Sequence, residues 1–123
     1  MHLNRAVRIM STFAMGAVNA ALNGLAARQR IAAQNMANAD TPGYIAGRVN
    51  FEDSLRSAMD TGNLADVAIT SATSDEPVNL NGNNVSVDQE NLTLIETGLK
   101  FQLMTEAMNN QFRILKASIR RDS

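Results

Sequence analysis

Apolar residues recur at alternating spacings of three and four near the start of the chain, and this pattern constrains the fold more than any other sequence feature. The positions are Met15, Val18, Leu22, Leu25, Gln29, Ala32 and Met36, and the polar Gln29 interrupts the apolar series. The spacing places them on one side of an α-helix, as in the seam of a coiled coil. Frequent alanines between them favour helix and allow a second helix to approach closely. We predict a helix from Ser11 to about Ala39, preceded by a flexible or weakly helical tail over residues 1–10.

A second helical pattern occupies the end of the chain. It begins near Asp88, which suits an N-cap, and continues to about Arg120. Its apolar residues form two adjoining stripes: Phe101, Met104, Met108, Phe112, Leu115 and Ile119 in one, and Leu92, Ile95, Leu99 and Leu103 in the other. Aromatic residues are only 4% of the sequence, which favours helices over a β-sandwich. The predicted fold is mainly α, with two long terminal helices packed as an antiparallel, coiled-coil-like hairpin.

The segment between the two helices is rich in loops. Four apolar residues there have the spacing of a short helix: Phe51, Leu55, Ala58 and Met59. Residues 64–74 predict an extended or weakly strand-forming stretch. Residues 78–80 and 85–87 alternate around Asn81-Gly82-Asn83-Asn84, which is typical of a β-hairpin or a structured loop. We therefore expect one domain made of residues 1–40, 41–86 and 87–123, with the middle segment joining the two helices.

The first helix is expected to end within residues 35–44. Pro42 disfavours the helical conformation for Thr41. Thr41-Pro42-Gly43-Tyr44 suits a type II turn, because Pro presets φ at the second position and Gly supplies the positive φ at the third. Asn38 and Asp40 can bond nearby backbone groups where the helix ends. This stretch therefore predicts a helix exit followed by a tight turn.

Catalytic and cofactor-binding patterns are absent from the sequence. The chain has no Cys, and its single His, His2, lies at the terminus, so it offers no Cys-His or Ser-His pair. Glu52 and Asp53 are adjacent, as in a solvated acidic edge rather than an opposed acid/base pair. The Asn-rich loop fails as a calcium site, because Pro77 stands where the first carboxylate ligand belongs. We expect no enzyme activity, no cofactor and no metal.

Charge is distributed unevenly along the chain. Residues 1–40 contain four Arg and one Asp, whereas residues 41–86 contain two Arg and six acidic residues. Four separated Arg do not form the basic patch that nucleic acid binding needs. No uninterrupted apolar run approaches the roughly 18–20 residues of a membrane span. Arg5 and Arg8 before an apolar stretch resemble a signal peptide, but helical patterning continues through the corresponding cleavage point. We expect neither a transmembrane segment nor a cleaved signal.

The apolar faces of the two predicted helices are wider than the helices can cover for each other. Two adjoining stripes on the second helix exceed the contact that one partner helix makes. A large uncovered apolar surface indicates assembly with other chains. The residues alone therefore predict an interaction protein that forms a polymer.

Two parts of the sequence are similar to a known family. The string Ala33-Gln34-Asn35-Met36-Ala37-Asn38-Ala39-Asp40-Thr41-Pro42-Gly43-Tyr44 resembles the N-terminal signature of flagellar axial proteins of the rod and hook class. Gly82-Asn83-Asn84-Val85, residues 99–102 and residues 114–119 resemble the FlgB family of proximal-rod proteins. The chain has Met36 where Ile is usual and Phe101 where Tyr is common, and Ser86-Val87 separates Asn-Asn-Val from Asp88.

The resemblance implies a structural subunit of the bacterial flagellar basal body. Such a subunit polymerises into the proximal rod, which transmits torque and encloses the export channel, and it is exported by the flagellar type III apparatus without a cleaved signal. The implied partners are further copies of the chain, rod proteins of the FlgC, FlgF and FlgG type, the FliE adaptor and the export gate. Nucleic acid and small-molecule substrates are not among them.

The same resemblance assigns geometric roles to two sets of residues. Contacts within and between subunits are expected at Val18, Leu22, Leu25, Ala32, Met36, Leu99, Phe101, Met104, Met108 and Leu115. The direction in which the chain leaves the helical core is expected to depend on Asn35, Asn38, Thr41, Pro42, Gly43 and Tyr44. Two alternatives remain open on the sequence alone: another small rod subunit of the FlgC type, or a cytoplasmic helical-hairpin binding module.

Overall fold

Two helices of 36 residues each dominate the fold. The computed structural model describes residues 2–122, and the side chains of residues 2–120. The elements in chain order are α1 (His2–Ala37), β1 (Gly47–Asn50), α2 (Glu52–Thr61), a 3₁₀ turn (Leu64–Asp66), β2 (Thr70–Thr73) and α3 (Val87–Asp122). The Ser118 hydroxyl donates to the Asn4 carbonyl at 3.0 Å, so the start of α1 lies beside the end of α3. The predicted antiparallel hairpin of two long terminal helices is confirmed.

Helix α1 begins earlier than the sequence pattern indicates. Residues 2–10 are helical, so of the two alternatives for residues 1–10, a flexible or a weakly helical tail, the flexible one is wrong for the described residues 2–10. The bond from Ser118 to Asn4 supplies the reason, because it fixes the first turns of α1 against α3. A helix end that packs on another helix is stabilised beyond its own propensity.

The buried face of α1 is made mainly of small residues. Its members are Ser11, Ala17, Ala21, Gly24, Leu25, Ala32 and Asn35. Leu25 and Ala32 belong to the predicted seam, whereas Val18, Leu22 and Met36 are only half-buried beside it. The prediction assigned the buried face to the larger apolar residues. The helix instead turns its smallest side chains inward, which permits close contact with its neighbours.

Helix α3 has one inward stripe and one outward stripe. Phe101, Met104, Met108 and Leu115 are half-buried, and Ser118 is buried among them. Phe112 and Ile119, which were assigned to the same stripe, are 47% and 53% exposed. Gln111 and Ser118 take those places because the three-and-four alternation along α3 continues through them. Ser118 is tolerated there because its hydroxyl is hydrogen-bonded.

Helix α3 begins one residue before the predicted N-cap. Its first residue is Val87, and the Ser86 hydroxyl accepts a hydrogen bond from the Gln89 amide at 3.3 Å. That is the geometry of an N-cap side chain, so Ser86 rather than Asp88 caps the helix.

The middle segment forms a small two-stranded antiparallel ribbon with a helix between its strands. The register pairs Gly47 with Thr73 and Asn50 with Thr70. The predicted short helix is confirmed as α2, and Gly62 ends it with a φ of +78°. The predicted extended stretch over residues 64–74 is right only for its second half, which becomes β2. Of the two alternatives for residues 78–87, the β-hairpin is wrong and the structured loop is right, since residues 78–86 form a loop without strands and Val87 begins α3.

A buried cluster fastens the middle segment to α1. It consists of Ala21, Leu25, Val49 and Phe51, and Phe101 and Met104 of α3 pack against it. Phe51 lies flat on α1 at Gly24, where a helix residue with a side chain would collide with the ring. An added Cβ at Gly24 would lie no more than 2.6 Å from three atoms of that ring. The cluster therefore depends on a glycine inside a helix.

We expect Gly24→Ala to destabilise the protein by about 1–3 kcal/mol, because the new methyl group forces Phe51 out of its place. Helix propensity alone would make the Ala variant more stable than the Gly parent by about 1 kcal/mol. A loss of stability would therefore report the collision with Phe51. Gly98→Ala is the matched control, because an added Cβ at Gly98 meets nothing within 4 Å. Urea unfolding followed by circular dichroism should show the first variant destabilised and the second stabilised. Stabilisation by both would contradict the packing of Phe51 on Gly24.

Helix α1 also has the length and apolar composition of a membrane span. The mean hydropathy of its best 18-residue window is 1.3, and within residues 2–122 it is the one helix that meets this test. The expectation that the chain has no such segment is therefore not supported. That expectation was based on the length of uninterrupted apolar runs. The mean hydropathy of a window can be high even when polar residues interrupt it, because the many alanines of α1 raise that mean. Core helices of soluble proteins and N-terminal signal sequences pass the same test.

Candidate assembly site

Asn83 is fully buried and holds the end of α1 against the loop that precedes α3. Its amide nitrogen donates to the carbonyls of Asn38 at 2.9 Å and Thr41 at 2.7 Å. Its side-chain oxygen accepts from the Val85 amide at 2.7 Å. The bond from Asn83 satisfies the Val85 amide, and the Asn38 and Thr41 carbonyls each gain a second bond beside those that they accept from the Thr41 and Tyr44 amides. One side chain thus joins two stretches about 45 residues apart in the chain.

Residues 41–44 form the predicted turn. The Tyr44 amide donates to the Thr41 carbonyl at 3.3 Å, and Gly43 has a φ of +75°. The Gly43 amide donates to the Asn81 carbonyl at 2.9 Å. Gly82 lies so close that an added Cβ there would be 3.3 Å from the Gly43 Cα. The turn and the loop therefore pack backbone to backbone. Gly82 permits this close approach, whereas Gly43 is favoured by its positive φ, because an added Cβ at Gly43 meets nothing within 4 Å.

Two further buried asparagines fix the chain as it leaves the turn. Asn35 donates to the Gly47 carbonyl at 3.0 Å and accepts from the Gly47 amide at 2.9 Å, so its side chain acts like a neighbouring strand. Asn84 accepts from the Ala46 amide at 2.7 Å and donates to the Glu76 carbonyl at 3.1 Å. We call the set Asn35, Asn38, residues 41–44 and residues 82–84 the polar junction.

The structure brings most of the predicted turn residues into the polar junction. Asn35 is buried, and Asn38 bonds both the Gln34 carbonyl and, through its side-chain oxygen, the Thr41 hydroxyl. Pro42 is exposed and shapes the backbone only. The sequence placed residues 82–84 in the family motif but gave them no role. Their capacity to bond distant backbone becomes visible only when the turn and the loop are side by side.

Two arginines connect the helices to β1. Arg48 contacts Glu90 at 2.8 Å, and Glu90 is only 1% exposed, so this ion pair ties the strand to α3. Arg28 of α1 donates to the Val49 carbonyl at 2.8 Å and to Glu52 at 3.0 Å. A buried carboxylate needs such a partner, because desolvation of an unpaired charge is costly.

Arg28 also stacks on an aromatic ring and shifts the titration of its partner. Its guanidinium lies 5.0 Å from the centre of the Phe51 ring. Partial burial alone would raise the pKa of Glu52, but the hydrogen bond and positive charge of Arg28 outweigh it, so that pKa is lowered. Arg28 was not predicted as a contact residue, because the predicted seam passes through its neighbour Gln29. Its position three residues after Leu25 and four before Ala32 was the signal that could have revealed it.

An uncovered apolar stripe runs along the outer side of α3. Its members, which we call the outer stripe, are Leu92, Ile95, Leu99 and Leu103, all more than half exposed. Because each helix residue is rotated by about 100°, Leu92 and Leu99 lie nearly opposite the buried Glu90 and Thr97. Of the ten residues predicted to pack subunits, Leu99 is therefore the one that faces outward. The other nine are at least half-buried within the subunit.

The surface of the subunit is large for its mass. A compact monomer of 13.3 kDa is expected to expose about 6,500 Å², whereas this chain exposes 8066 Å². The surplus, about 1,600 Å², equals what one protein contributes to about two standard interfaces.

Within residues 2–122, no group of three or more His, Cys, Asp or Glu side chains is placed to hold a metal ion.

No family model matches the chain. Curated relatives nevertheless cover most of it. A flagellar basal body rod protein FlgB from Escherichia coli is 32% identical over 115 residues, which span 76% of this chain and 83% of the relative. The Bacillus subtilis protein of the same name is 34% identical over 102 residues, which span 72% of this chain and 79% of the relative.

A more distant relative extends the comparison to another bacterial lineage. The FlgB protein of Borreliella burgdorferi is 25% identical over 114 residues, which span 75% of this chain and 84% of that protein. Three relatives from dissimilar bacteria thus have the same name, and the similarity to this sequence covers 79% to 84% of their lengths. The chain belongs to the FlgB family of flagellar basal body rod proteins.

Proposed function

We propose that this chain is a structural, non-enzymatic subunit of the flagellar basal body that polymerises into the proximal rod. The observation that carries the proposal is the similarity to FlgB proteins over 83% of the length of the Escherichia coli relative. The shape of the subunit supports it. A polymer subunit needs surface to share with its neighbours, and this chain has surplus area and an apolar stripe outside its core.

The division of residues between the two surfaces supports separate roles for them. Leu25, Ala32, Phe101 and Met104 hold the two helices and the middle segment together within one subunit. The outer stripe is free to pack against a neighbouring subunit. The polar junction, which includes Asn35, Asn38 and residues 41–44, sets the direction in which the middle segment leaves the helical hairpin.

We further propose that the N-terminus is retained after export. The signal-like stretch would be cut near Asn19-Ala20-Ala21. That cut would remove Ser11 and Ala17, which are buried, and the Asn4 carbonyl, which is bonded to Ser118. A cleaved chain would therefore lose the part of α1 that packs on the end of α3. An intact α1 therefore favours export without a cleaved signal, by the flagellar type III apparatus.

The neighbours in the assembly follow from the place of the proximal rod. We propose further copies of this chain, rod proteins of the FlgC, FlgF and FlgG type, the FliE adaptor and the export gate as partners. The assembled rod would transmit torque and enclose the export channel. The hairpin of two long helices supports this role, since it provides a stiff element that neighbouring subunits can contact along its length.

Deletion of the gene from the source bacterium, followed by motility assays and electron microscopy of basal bodies, tests the proposed function. We expect cells that do not swim and basal bodies that lack a rod, with both restored by the wild-type gene on a plasmid. Purified basal bodies from the restored strain should contain the chain. Intact rods in the deletion strain, or a chain found only as a soluble cytoplasmic monomer, would contradict the proposal.

A further inference from the structure

The outer edge of β2 presents backbone amide and carbonyl groups that none of the described residues binds. In an antiparallel ladder, alternate residues point their amide and carbonyl groups toward opposite sides of the strand. The Ser74 amide donates to the Ala46 carbonyl at 2.8 Å, which sets the alternation. It directs the backbone groups of Ala72 toward β1 and those of Ser71 and Thr73 away from it.

On β1, by contrast, most of the backbone groups that point away from the partner strand are hydrogen-bonded within the subunit. Gly47 and Val49 point their backbone groups away from β2. Asn35 bonds both groups of Gly47, and Arg28 bonds the Val49 carbonyl. On the β2 side, none of the residues whose side chains the structure describes, nor their backbone, bonds the amide or carbonyl of Ser71 or Thr73.

The edge lacks most of the features that protect exposed strands. Natural proteins keep such strands short, cover them with a loop or helix, or place Lys, Pro or a bulge on them. β2 is short, with four residues, but all four are exposed and none is charged or Pro. The strand is made of Thr, Ser and Ala, and it pairs regularly with β1. A short edge that is otherwise unprotected can accept an additional strand.

The charge around the edge indicates what kind of strand would fit. Asp66 precedes β2, and Asp75 and Glu76 follow it. Within the described residues these carboxylates have no ion pair, whereas the two arginines of the middle segment are paired with Glu90 and Asp53. The ends of the edge are therefore acidic. A second copy would bring an equally acidic middle segment, so like charges disfavour it.

We propose that the outer edge of β2 binds an extended, basic segment of a different protein in the rod by β-strand addition. The inference rests on the proposed function, because the partner is a neighbour in that assembly. Backbone hydrogen bonds to Ser71 and Thr73 hold the added strand. The carboxylates of Asp66, Asp75 and Glu76 select a basic segment.

Ser71→Pro tests the edge, because it removes an outward amide and leaves the ladder to β1 intact. Ser71→Ala is the control that keeps the amide. Each variant is expressed in the deletion strain and measured by its melting temperature when purified and by its recovery in isolated basal bodies. We expect Ser71→Pro to melt like wild type but to be recovered at least tenfold less, and Ser71→Ala to match wild type in both.

A second variant keeps the test decisive if Ser71→Pro does not fold. Asp75→Lys combined with Glu76→Lys reverses the charge at one end of the edge, and we expect it to reduce recovery at least tenfold without lowering the melting temperature. Recovery of the folded Ser71→Pro chain, or of the charge-reversed chain, at the wild-type level overturns the inference.

Self-association of the purified wild-type chain that Ser71→Pro abolishes also overturns it, since the partner would then be a second copy. Absence of the wild-type chain from basal bodies would instead overturn the proposed function itself, and the inference with it.

Discussion

Asn83→Ala should lower the free energy of unfolding by about 3 kcal/mol, since a buried donor or acceptor left without its partner costs about 1–3 kcal/mol. The change removes three bonds at once: it leaves the Val85 amide without a partner, and it leaves the Asn38 and Thr41 carbonyls with only the bonds from the Thr41 and Tyr44 amides. Alanine is too small to replace any of them. Urea unfolding monitored by circular dichroism measures the loss.

Two further variants separate the hydrogen bonds from the volume of the side chain. Asn83→Asp keeps the shape but replaces the donating amide with a carboxylate that faces two carbonyl oxygens, so we expect a loss at least as large as with alanine. Asn81→Ala is the control in the same loop, because Asn81 is exposed and its side chain accepts one bond, from the Asn83 amide. We expect it to cost about 1 kcal/mol or less. If Asn83→Ala were no more harmful than Asn81→Ala, the polar junction would not hold the chain together.

The features that were predictable from the sequence have local causes. The turn over residues 41–44 requires only the fixed φ of Pro42 and the positive φ of Gly43. The end of α2 similarly depends on Gly62 alone. Each of the two long helices repeats its apolar pattern over many turns, so a polar residue at one position of the pattern does not prevent the helix from being recognised. Local chemistry and long periodicity therefore sufficed for the helices and the turn.

The face of a helix was harder to predict than its existence. In α1 the large residues Leu22 and Met36 suggested a seam one position away from the small residues that are buried. Hydrophobicity alone favours the larger side chain, but close helix packing favours the smaller one. In α3 the same bias selected Phe112 over Gln111. The width of an apolar pattern indicates how much surface must be covered, but not which part is covered within the subunit.

The β structure and the polar junction depend on residues far apart in sequence. The strands of the ribbon are separated by α2, so no turn signal lies between them. Asn81-Gly82 has the composition of a hairpin turn. Its neighbours Asn83 and Asn84 instead bond backbone groups in the segment that follows α1, and these bonds hold the loop against that segment. A single-sequence pattern does not contain such distant partners.

Substitution of the outer stripe should separate folding from assembly. Leu99→Glu combined with Leu103→Glu places two charges where the side chains are 58% and 64% exposed. Exposed substitutions usually change stability by no more than about 0.5 kcal/mol, so the melting temperature should hardly change. Burial of each Leu at an interface contributes about 1.5–3 kcal/mol, and a buried unpaired carboxylate adds a further penalty. The loss recurs at every subunit contact in a polymer, so we expect no rods and no swimming.

Gln102→Glu combined with Asn109→Glu provides the matched control. Both residues are exposed on α3 and flank the outer stripe on one side, with Gln102 about 20° and Asn109 about 40° around the helix axis from Ile95. This pair adds the same charge to the same helix at the edge of the outer stripe, without replacing any of its apolar residues. Expression of each double variant in the deletion strain, followed by counting of rods in isolated basal bodies, compares them directly. Loss of rods with the leucine pair and retention with the control pair would assign assembly to the outer stripe. Equal retention would show that neighbouring subunits meet elsewhere, whereas equal loss would mean that the net charge of α3 rather than its apolar surface governs assembly.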